Sequence, residues 1–161
     1  NANQVVCLAP TQSKLDVLNG YGVDTILMDR KDPEIHKKAV FERFPYGVDA
    51  IVDATGSASV LPDCFQLLKK QGRLLQFSST KDDENITINP AYFYRNELQY
   101  YTSYCQVHEF GRAVDAIASG KVRLDKLVTR LYTLEQFPQA IEDVLDHSVL
   151  KLVIRPNGME D

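Results

Sequence analysis

Two short polar segments each follow an apolar run, and their residue types are suited to binding a ligand. Thr55 and Gly56 come directly after residues 48–53, an apolar run rich in β-branched residues, as a strand buried on both faces requires. Ser78 and Ser79 follow the next apolar run. Small residues let the backbone approach a ligand closely. Because ligands bind at the carboxyl edge of open parallel sheets, this spacing predicts a binding site and indicates a nucleotide-binding domain.

The elements that must position these residues form a strand–loop–helix–strand unit over residues 47–79. Ser57 suits a helix N-cap, and Gly72 is expected to end the helix that follows it. Apolar residues recur between them at helical spacing: Val60, Leu61, Cys64, Leu67 and Leu68. The second strand is predicted over residues 73–77.

Strands and helices alternate over the rest of the chain, which indicates βαβ units and a parallel sheet. Further strands are predicted over residues 4–8, 25–28, 86–88, 98–102, 128–132 and 150–154. Helices are predicted over 13–19, 33–44, 107–119 and 134–146, with a helical turn over 90–94. The last two helices carry stripes that we expect to face inward: Phe110, Val114, Ile117 and Ala118, and Phe137, Ala140, Ile141, Val144 and Leu145.

Length and charge limit the classes of protein to consider. A chain of 161 residues is long enough for one domain with a real core. Its formal net charge of -4 argues against a general binder of nucleic acid or anionic membranes, because those need basic patches. There is no apolar run of membrane-spanning length, and the start at residues 1–4 does not resemble a signal peptide. A cytoplasmic location is expected.

Cysteine and histidine residues show no metal-binding spacing. The three cysteines are widely separated, and we expect small apolar roles for them rather than a disulfide or a metal site: Cys7, Cys64 and Cys105. The three histidines are also far apart and are predicted to lie on helix surfaces: His36, His108 and His147. Residues 31–38 mix charges of both signs, which is typical of a solvated face.

Several longer segments together carry a family resemblance. They are GVDAIVDATG, the helix ending in QGRLLQFSS, the stretch AIASGKVRLDKLVTRLYTLEQFPQAIE and the closing LKLVIRP. From Gln4 to Pro156 the chain resembles the coenzyme domain of the zinc-containing medium-chain dehydrogenases, especially the sorbitol/polyol dehydrogenase branch. The pattern ASGK…LVT…LEQ…A is the most discriminating, since generic dinucleotide-binding domains lack it.

The resemblance implies an α/β fold, a Rossmann-like doubly wound parallel sheet that lacks its first strand, Gly-rich turn and first helix. No G-x-G-x-x-G occurs in the chain, although that turn normally receives the pyrophosphate. We therefore expect residues 1–161 to be a partial dinucleotide-binding domain of a longer dehydrogenase. The family's zinc ligands and proton relay would lie in an absent N-terminal domain, and this chain alone should be inactive.

The resemblance also assigns roles at the strand ends. Backbone at Thr55 and Gly56 would contact the adenosine side of the cofactor, and backbone at Ser78 and Ser79 the nicotinamide ribose. The alternative is an ordinary strand-to-helix turn. Asp53, a strand-end acid in the family, is assigned no proton transfer.

A third segment matches the family's contact with the nicotinamide carboxamide: Ser103, Tyr104 and Cys105. Polyol dehydrogenases often have Phe-Arg at the last two positions, so the match does not extend to polyol recognition.

Ala9 bears on which nicotinamide cofactor is used. In complete domains of this fold, NAD-specific enzymes place an acid at the end of the domain's second strand, where it hydrogen-bonds the ribose 2′-OH. The strand predicted over residues 4–8 corresponds to that strand. Here Ala9 is followed by Thr11, Ser13 and Lys14, which could accept a 2′-phosphate. The sequence therefore predicts NADP preference, with NAD as the alternative. In the competing interpretation, Thr11 caps a helix and Lys14 is a solvated charge.

Aromatic residues are dense in one segment: Tyr92, Phe93, Tyr94, Tyr100, Tyr101 and Tyr104. The matching region of the family forms an edge strand that pairs between subunits, and tyrosine is favoured at interfaces. We expect a homo-oligomer formed through the Ile86–Thr102 region. Packing beneath a loop is the alternative.

Three functions fit these observations. The leading one is the coenzyme-binding part of an NADP-preferring, zinc-dependent alcohol or polyol dehydrogenase, whose parent would move hydride between nicotinamide and a secondary alcohol. The second is a zinc-free quinone or enoyl reductase of the same superfamily. The third is a nucleotide-binding module without catalysis.

Overall fold

The computed structural model describes residues 2–29, 31–105, 108–124, 126–146 and 148–158. Strands alternate with helices along these residues, as predicted. The strands are β1 (Val6–Ala9), β2 (Asp24–Leu27), β3 (Val48–Asp53), β4 (Leu68–Gln76), β5 (Gln99–Thr102), β6 (Val128–Thr133) and β7 (Lys151–Arg155). The helices are α1 (Gln12–Asp16), α2 (Pro33–Arg43), α3 (Leu61–Leu67), α4 (Pro90–Asn96), α5 (Phe110–Ala118) and α6 (Phe137–Asp143), and a short 3₁₀ helix, Ala58–Val60, precedes α3. The helix predicted from residue 107 begins at Phe110, and His108 before it is exposed with a φ of 60° rather than helical. Val107, the surface role of His147 and residues 159–161 lie outside the described residues.

All strand pairs are parallel, which confirms the α/β class with a parallel sheet. β1 pairs with β2, β4 lies between β3 and β5, and β6 pairs with β7. In the three-stranded set Asp53 lies opposite Gln76, and Gln76 lies opposite Thr102. The carboxyl ends of β3, β4 and β5 therefore meet at one edge of the sheet, as the binding-site prediction requires.

The chain divides into two compact units, residues 28–106 and residues 1–27 with 107–161. In the first unit α3 packs on the sheet, and its core cluster consists of Leu61, Cys64, Phe65, Leu68 and Leu74. The ring of Phe65 meets Phe93 and Tyr100 edge-on, with centroids 4.7 and 5.4 Å apart. Burial of Cys64 fits the small apolar role predicted for it.

The second unit buries fewer large side chains than its sequence predicts. Its buried apolar residues in the described ranges are Leu15, Ile26, Tyr132 and Ala140. Most of the stripes of α5 and α6, which we expected to face inward, are exposed: Phe110, Val114, Ile117 and Ala118, and Phe137, Ile141, Val144 and Leu145. Only Ala140 of the two stripes is buried as expected. The expectation of burial is wrong here because periodicity identifies the apolar face of a helix, not the surface that covers it.

The transition from α3 to β4 differs from the prediction. α3 ends at Leu67 rather than at Gly72, and β4 begins at once with Leu68 paired to Val48. The pairing then jumps to Ala50 opposite Arg73, so residues 69–72 form a bulge before the predicted strand. Gly72 serves this bulge, since a Cβ there would lie 2.7 Å from the carbonyl oxygen of Lys69.

The segment after β4 also differs from the prediction. Residues 86–88 form no strand, although Ile86 packs against the core cluster. The predicted turn at Pro90 is a helix of seven residues, because the side chain of Asn89 accepts hydrogen bonds from the amides of Ala91 and Tyr92 at 3.0 and 3.2 Å.

The charged face of α2 is partly buried, and two predictions about it are wrong. His36 is 5% exposed rather than on the surface, and Lys37 is also buried. Lys37 Nζ lies 3.0 Å from a carboxylate oxygen of Asp63 and 3.1 Å from Oε1 of Gln66, and it also pairs with Glu34. The long lysine stem lets the charge reach partners on α3 while its methylenes are buried.

Candidate functional site

The residues that end β3 are held by a buried carboxylate. Asp53 is 3% exposed, and its Oδ1 accepts hydrogen bonds from the amide and the hydroxyl of Thr55 at 3.0 and 2.7 Å. Its second oxygen has no hydrogen-bond partner among the described residues. The hydroxyl of Thr55 is therefore committed to folding the turn, in the way that aspartate stabilises tight turns.

Gly56 connects residues 54–57, here called the β3 loop, to residues 77–80, the β4 loop. Its amide donates a hydrogen bond of 2.7 Å to Oγ of Ser78. Its φ of +70° is unfavourable for other residues, and a Cβ would lie 3.1 Å from the carbonyl oxygen of Ser79. Glycine is thus needed for both the conformation and the close approach of the two loops.

The hydroxyl, carbonyl and amide groups of Ser78 all form hydrogen bonds. Its carbonyl oxygen accepts a hydrogen bond from Nε2 of Gln76 at 3.1 Å. Its amide, together with that of Phe77, donates to the carbonyl oxygen of Asp53 at 3.3 and 2.8 Å. Ser79, in contrast, is exposed, and its hydroxyl reaches only the carbonyl of Thr80 at 3.1 Å. Ser78 therefore shapes the loop, while Ser79 lies at its surface.

The third predicted segment lies at the same sheet edge. The amide of Ser103 donates to the carbonyl oxygen of Gln76 at 3.1 Å and so extends the pairing of β4 with β5. Tyr104 is 86% exposed, and Cys105 is exposed with a φ of 57°. The small apolar role expected for Cys105 is therefore wrong. The structure thus brings the ends of β3, β4 and β5 together, with Tyr104 and Cys105 beyond the last paired residue.

The remaining predicted residues lie in the other unit, where β1 passes into α1. Thr11 precedes α1 with extended φ and ψ, and its side chain makes no cap hydrogen bond. Ser13 and Lys14 are exposed on the first turn, and the amide of Lys14 donates to the carbonyl of Thr11 at 3.2 Å. Lys14 forms no ion pair with any described residue. Thr11 therefore occupies the N-cap position without a side-chain cap hydrogen bond, and Lys14 is solvated as in the competing interpretation. Whether these two side chains bind a phosphate stays a prediction.

Two contributors to this edge, Glu84 and Gln76, were not singled out from the sequence, and Ser57 behaves differently from its prediction. Glu84 accepts a hydrogen bond of 3.3 Å from the amide of Ala58, where the helical segment begins. Ser57, the predicted cap, makes no cap hydrogen bond and lies 2.9 Å from the hydroxyl of Ser59. Gln76 and Tyr100 hydrogen-bond to each other. A polar residue within the apolar run RLLQF was the available signal for Gln76.

Two titratable groups near this edge, Cys64 and Tyr100, are not prepared for proton transfer at neutral pH. Burial, with smaller contributions from Asp53 and Asp63, raises the pKa of the Cys64 thiol to about 12. Burial and then the charge of Asp53 raise the pKa of Tyr100. Both groups stay protonated, so this edge is suited to hydrogen bonding and shape rather than to acid–base chemistry.

Zinc does not fit the residues of this chain that the structure describes. Within these residues no three His, Cys, Asp or Glu side chains come together as a metal would require. Burial also raises the pKa of Cys7, which disfavours the thiolate that binds metals. Separately, no helix in the described ranges has the length and apolar character needed to cross a membrane.

Comparison with known proteins gives consistent matches. A family profile described as zinc-binding dehydrogenase matches residues 1–119. D-arabinitol dehydrogenase 1 of Uromyces fabae is 30% identical over 158 residues, which is 97% of this chain and 45% of that protein. Sorbitol dehydrogenase of Bacillus subtilis is 27% identical over 113 residues, 69% of this chain and 32% of that protein. The chain thus spans less than half the length of these relatives.

Solved structures share the fold. A protein of Sinorhizobium meliloti described as a zinc-binding dehydrogenase, bound to NADP, has a TM-score of 0.85 at 20% identity, over 97% of this chain and 46% of that one. A protein of Escherichia coli CFT073 described as a short chain alcohol dehydrogenase, complexed with NADH, has a TM-score of 0.82 at 18% identity, over 94% and 44%. The two proteins hold different nicotinamide cofactors on one fold.

Proposed function

The chain belongs to the zinc-binding dehydrogenase family, and we propose that it is the coenzyme-binding part of an NADP-preferring alcohol or polyol dehydrogenase. The observation that carries the proposal is the turn after β1, where Ala9 is followed by uncommitted polar groups. The relatives named as arabinitol and sorbitol dehydrogenases support a secondary alcohol as the substrate class of the whole protein.

NADP preference rests on charge at the end of β1. Aspartate or glutamate at Ala9 would repel a 2′-phosphate, whereas alanine leaves room for it. Donors for phosphate oxygens are supplied by the hydroxyls of Thr11 and Ser13 and the ammonium of Lys14. Hydrogen bonds to a charged phosphate are stronger than hydrogen bonds between neutral groups. Related structures of this fold hold either NADP or NADH, so the fold alone does not select the cofactor, and we attribute the preference to these residues.

The residues of this chain bind and orient the cofactor in the proposed reaction, while a nicotinamide supplies the hydride chemistry when bound. The β3 loop would present the backbone of Thr55 and Gly56 to the adenosine side. The β4 loop would present Ser79 to the nicotinamide ribose, with Ser78 holding its shape. Ser103, Tyr104 and Cys105 would lie along the nicotinamide carboxamide. No proton transfer is assigned to any of these side chains.

Zinc is not assigned to any residue of this chain. We propose that metal ligands of the whole protein lie elsewhere, as the family resemblance implies, and that this chain does not turn over substrate alone. Stoichiometric zinc held by Cys7, Cys64 or Cys105 in metal analysis of the chain would contradict the assignment. A cytoplasmic setting is proposed from the sparse, widely spaced cysteines of the sequence.

The NADP proposal is tested by Ala9→Asp in the full-length protein. The new carboxylate should repel the 2′-phosphate and accept a hydrogen bond from the ribose of NAD. Together the two effects are on the order of 1.5–3.5 kcal/mol, so the ratio of kcat/KM for NADP over NAD should fall by roughly tenfold to a few hundredfold. Lys14→Ala should weaken NADP alone, and by less, because the side chain is exposed. A wild-type preference for NAD, or an unchanged ratio in Ala9→Asp, would sink the proposal.

We also propose that two copies associate through the Ile86–Thr102 region. β5 ends the described three-stranded set, and an exposed strand edge favours pairing with another strand. Tyr101 and Tyr94 are exposed there, while Tyr100 and Phe93 pack inward, so only part of the aromatic segment is available to a partner. Light scattering that gives a monomer for the full-length protein would refute this proposal.

A further inference from the structure

The side chain of Gln76 bridges β5 and the β4 loop. Its Oε1 accepts a hydrogen bond from the hydroxyl of Tyr100, and its Nε2 donates to the carbonyl oxygen of Ser78 at 3.1 Å. A carbonyl can only accept, so the amide nitrogen must face Ser78 and the amide oxygen must face Tyr100. Both functions of the amide are therefore used, and the orientation of Gln76 is fixed by its partners.

Ser78 continues this connection to the next loop. Its hydroxyl oxygen accepts the hydrogen bond from the amide of Gly56 at 2.7 Å. The ring of Tyr100 is itself held by Phe65 of the core cluster, at 5.4 Å between centroids. A continuous path therefore runs from the core through Tyr100, Gln76 and Ser78 to Gly56, and it ties both loops to the edge strand.

We propose that Tyr100 and Gln76 are positioning residues that couple the β3 loop to the β4 loop. This inference rests on the proposed function, in which the two loops meet opposite halves of one dinucleotide. Loops held in a fixed relation need no ordering when the cofactor binds, so their coupling favours binding of the whole dinucleotide more than binding of either half. Neither residue contacts a reacting atom.

The test compares two identical substitutions in neighbouring residues of β5. Tyr100→Phe removes the hydroxyl that orients Gln76 but keeps the ring against Phe65. Tyr101→Phe is the matched control, because that hydroxyl donates to Gln99 at 2.9 Å rather than to either loop, and the phenyl ring keeps the surface proposed to meet a second copy. Gln76→Glu is the second variant, since it keeps an acceptor for Tyr100 and removes the donor to Ser78.

In the full-length protein, Tyr100→Phe and Gln76→Glu should each raise Kd for NADP about three- to tenfold, the effect expected of one lost hydrogen bond. The KM for NADP should rise with kcat unchanged, because positioning acts on binding. Adenosine 2′,5′-bisphosphate, which lacks the nicotinamide half, should lose less affinity. Tyr101→Phe should change none of these values, and the Tm of Tyr100→Phe should stay close to that of the wild type.

A second readout does not depend on the cofactor. The amide of Gly56 should exchange its hydrogen faster in Tyr100→Phe than in the wild type or in Tyr101→Phe, because its acceptor Ser78 is less firmly held. Equal Kd values in Tyr100→Phe and Tyr101→Phe, or equal losses for NADP and for the bisphosphate, would overturn the proposal. If the wild type binds no dinucleotide, the proposed function fails, and the exchange rate of Gly56 alone then decides whether the loops are coupled.

Discussion

In the unit of residues 28–106, α3 lies on the sheet with Leu61 and Phe65 buried. In the unit of residues 1–27 and 107–161, the large side chains of the stripes of α5 and α6 are exposed. Both helices that carry exposed stripes formed where the sequence predicted helix. The difference teaches that apolar spacing determines the face a helix offers, while burial depends on a second surface that the helix itself does not encode. The two units should therefore respond differently to the same substitution.

The largest difference is expected for truncation of an apolar side chain. Leu74 in β4 is 0% exposed, and Leu74→Ala should lower the free energy of unfolding by about 2–5 kcal/mol through lost burial and a cavity. Val114 in α5 is 49% exposed, and Val114→Ala should change it by no more than about 0.5 kcal/mol. Urea unfolding of the chain measures both. Comparable losses in the two variants would mean that the stripe of α5 is covered in solution, and the contrast between the units would disappear.

Glycine replacement should give effects of opposite sign in the two units. Gly47 has a φ of +85°, and a Cβ there would lie 2.7 Å from both the carbonyl oxygen of Leu67 and the amide of Lys69. Gly47→Ala should cost more than about 1 kcal/mol, because neither backbone atom can move away cheaply. Gly111 lies in α5 with nothing within 4 Å of its Cβ position, and Gly111→Ala should stabilise by up to about 1 kcal/mol. Thermal unfolding of the two variants measures both changes in stability. A Gly47→Ala variant more stable than the wild type would contradict the close backbone approach of residues 67–69 to Gly47.

The sequence predicted the elements of both units because their signals are local. The bounds of β3 agree with the prediction at residues 48–53, because an apolar run rich in β-branched residues favours a strand. The expected burial on both faces is wrong, since Val52 is 62% exposed and only Asp53 of this strand is fully buried. The strand predicted over residues 73–77 overlaps the second half of β4, which ends at Gln76. Gly72 was misread as a helix end because its real constraint, close approach of the backbone at Lys69, depends on a bulge that spacing does not reveal.

The sequence predicted that the ends of β3, β4 and β5 share one sheet edge, but not the hydrogen bonds between them; that these residues bind a cofactor stays a prediction. Thr55, Gly56, Ser78 and Ser103 lie at one sheet edge, as the strand order implies. The bridge formed by Gln76 joins residues more than twenty positions apart in sequence, so no local pattern could indicate it. Lys37 was assigned to solvent for the same reason, because its partner Asp63 belongs to another helix.

The smallest expected difference concerns the dependence of stability on pH. The titrating group considered in the first unit is a lysine, which loses its charge at alkaline pH, and in the second unit it is an aspartate, which loses its charge at acid pH. In the first unit, the hydrogen bond to Glu34, together with Asp63, raises the pKa of Lys37 above its ordinary value of 10.5. Its stabilisation is fully present below pH 10.5 and is lost as pH rises through the folded pKa. In the second unit, the hydrogen bond from Tyr132 lowers the pKa of Asp143, and Gln139 and Arg130 lower it further. That stabilisation is present above pH 3.8 and is lost as pH falls through the folded pKa.

Two neutral substitutions separate these contributions. Lys37→Met should flatten the alkaline limb of stability against pH and leave the acid limb unchanged, while Asp143→Asn should do the reverse. The measurement is the Tm of the wild type and of each variant across pH, taken as differences so that other tyrosines and carboxylates cancel. Asp143 is the more exposed group, so its effect should be the smaller of the two and should shrink in added salt, which screens surface charges. If Asp143→Asn loses Tm at acid pH as steeply as the wild type does, Asp143 is not the source of the acid sensitivity. The predicted contrast, with the first unit sensitive to alkali and the second to acid, would then be wrong.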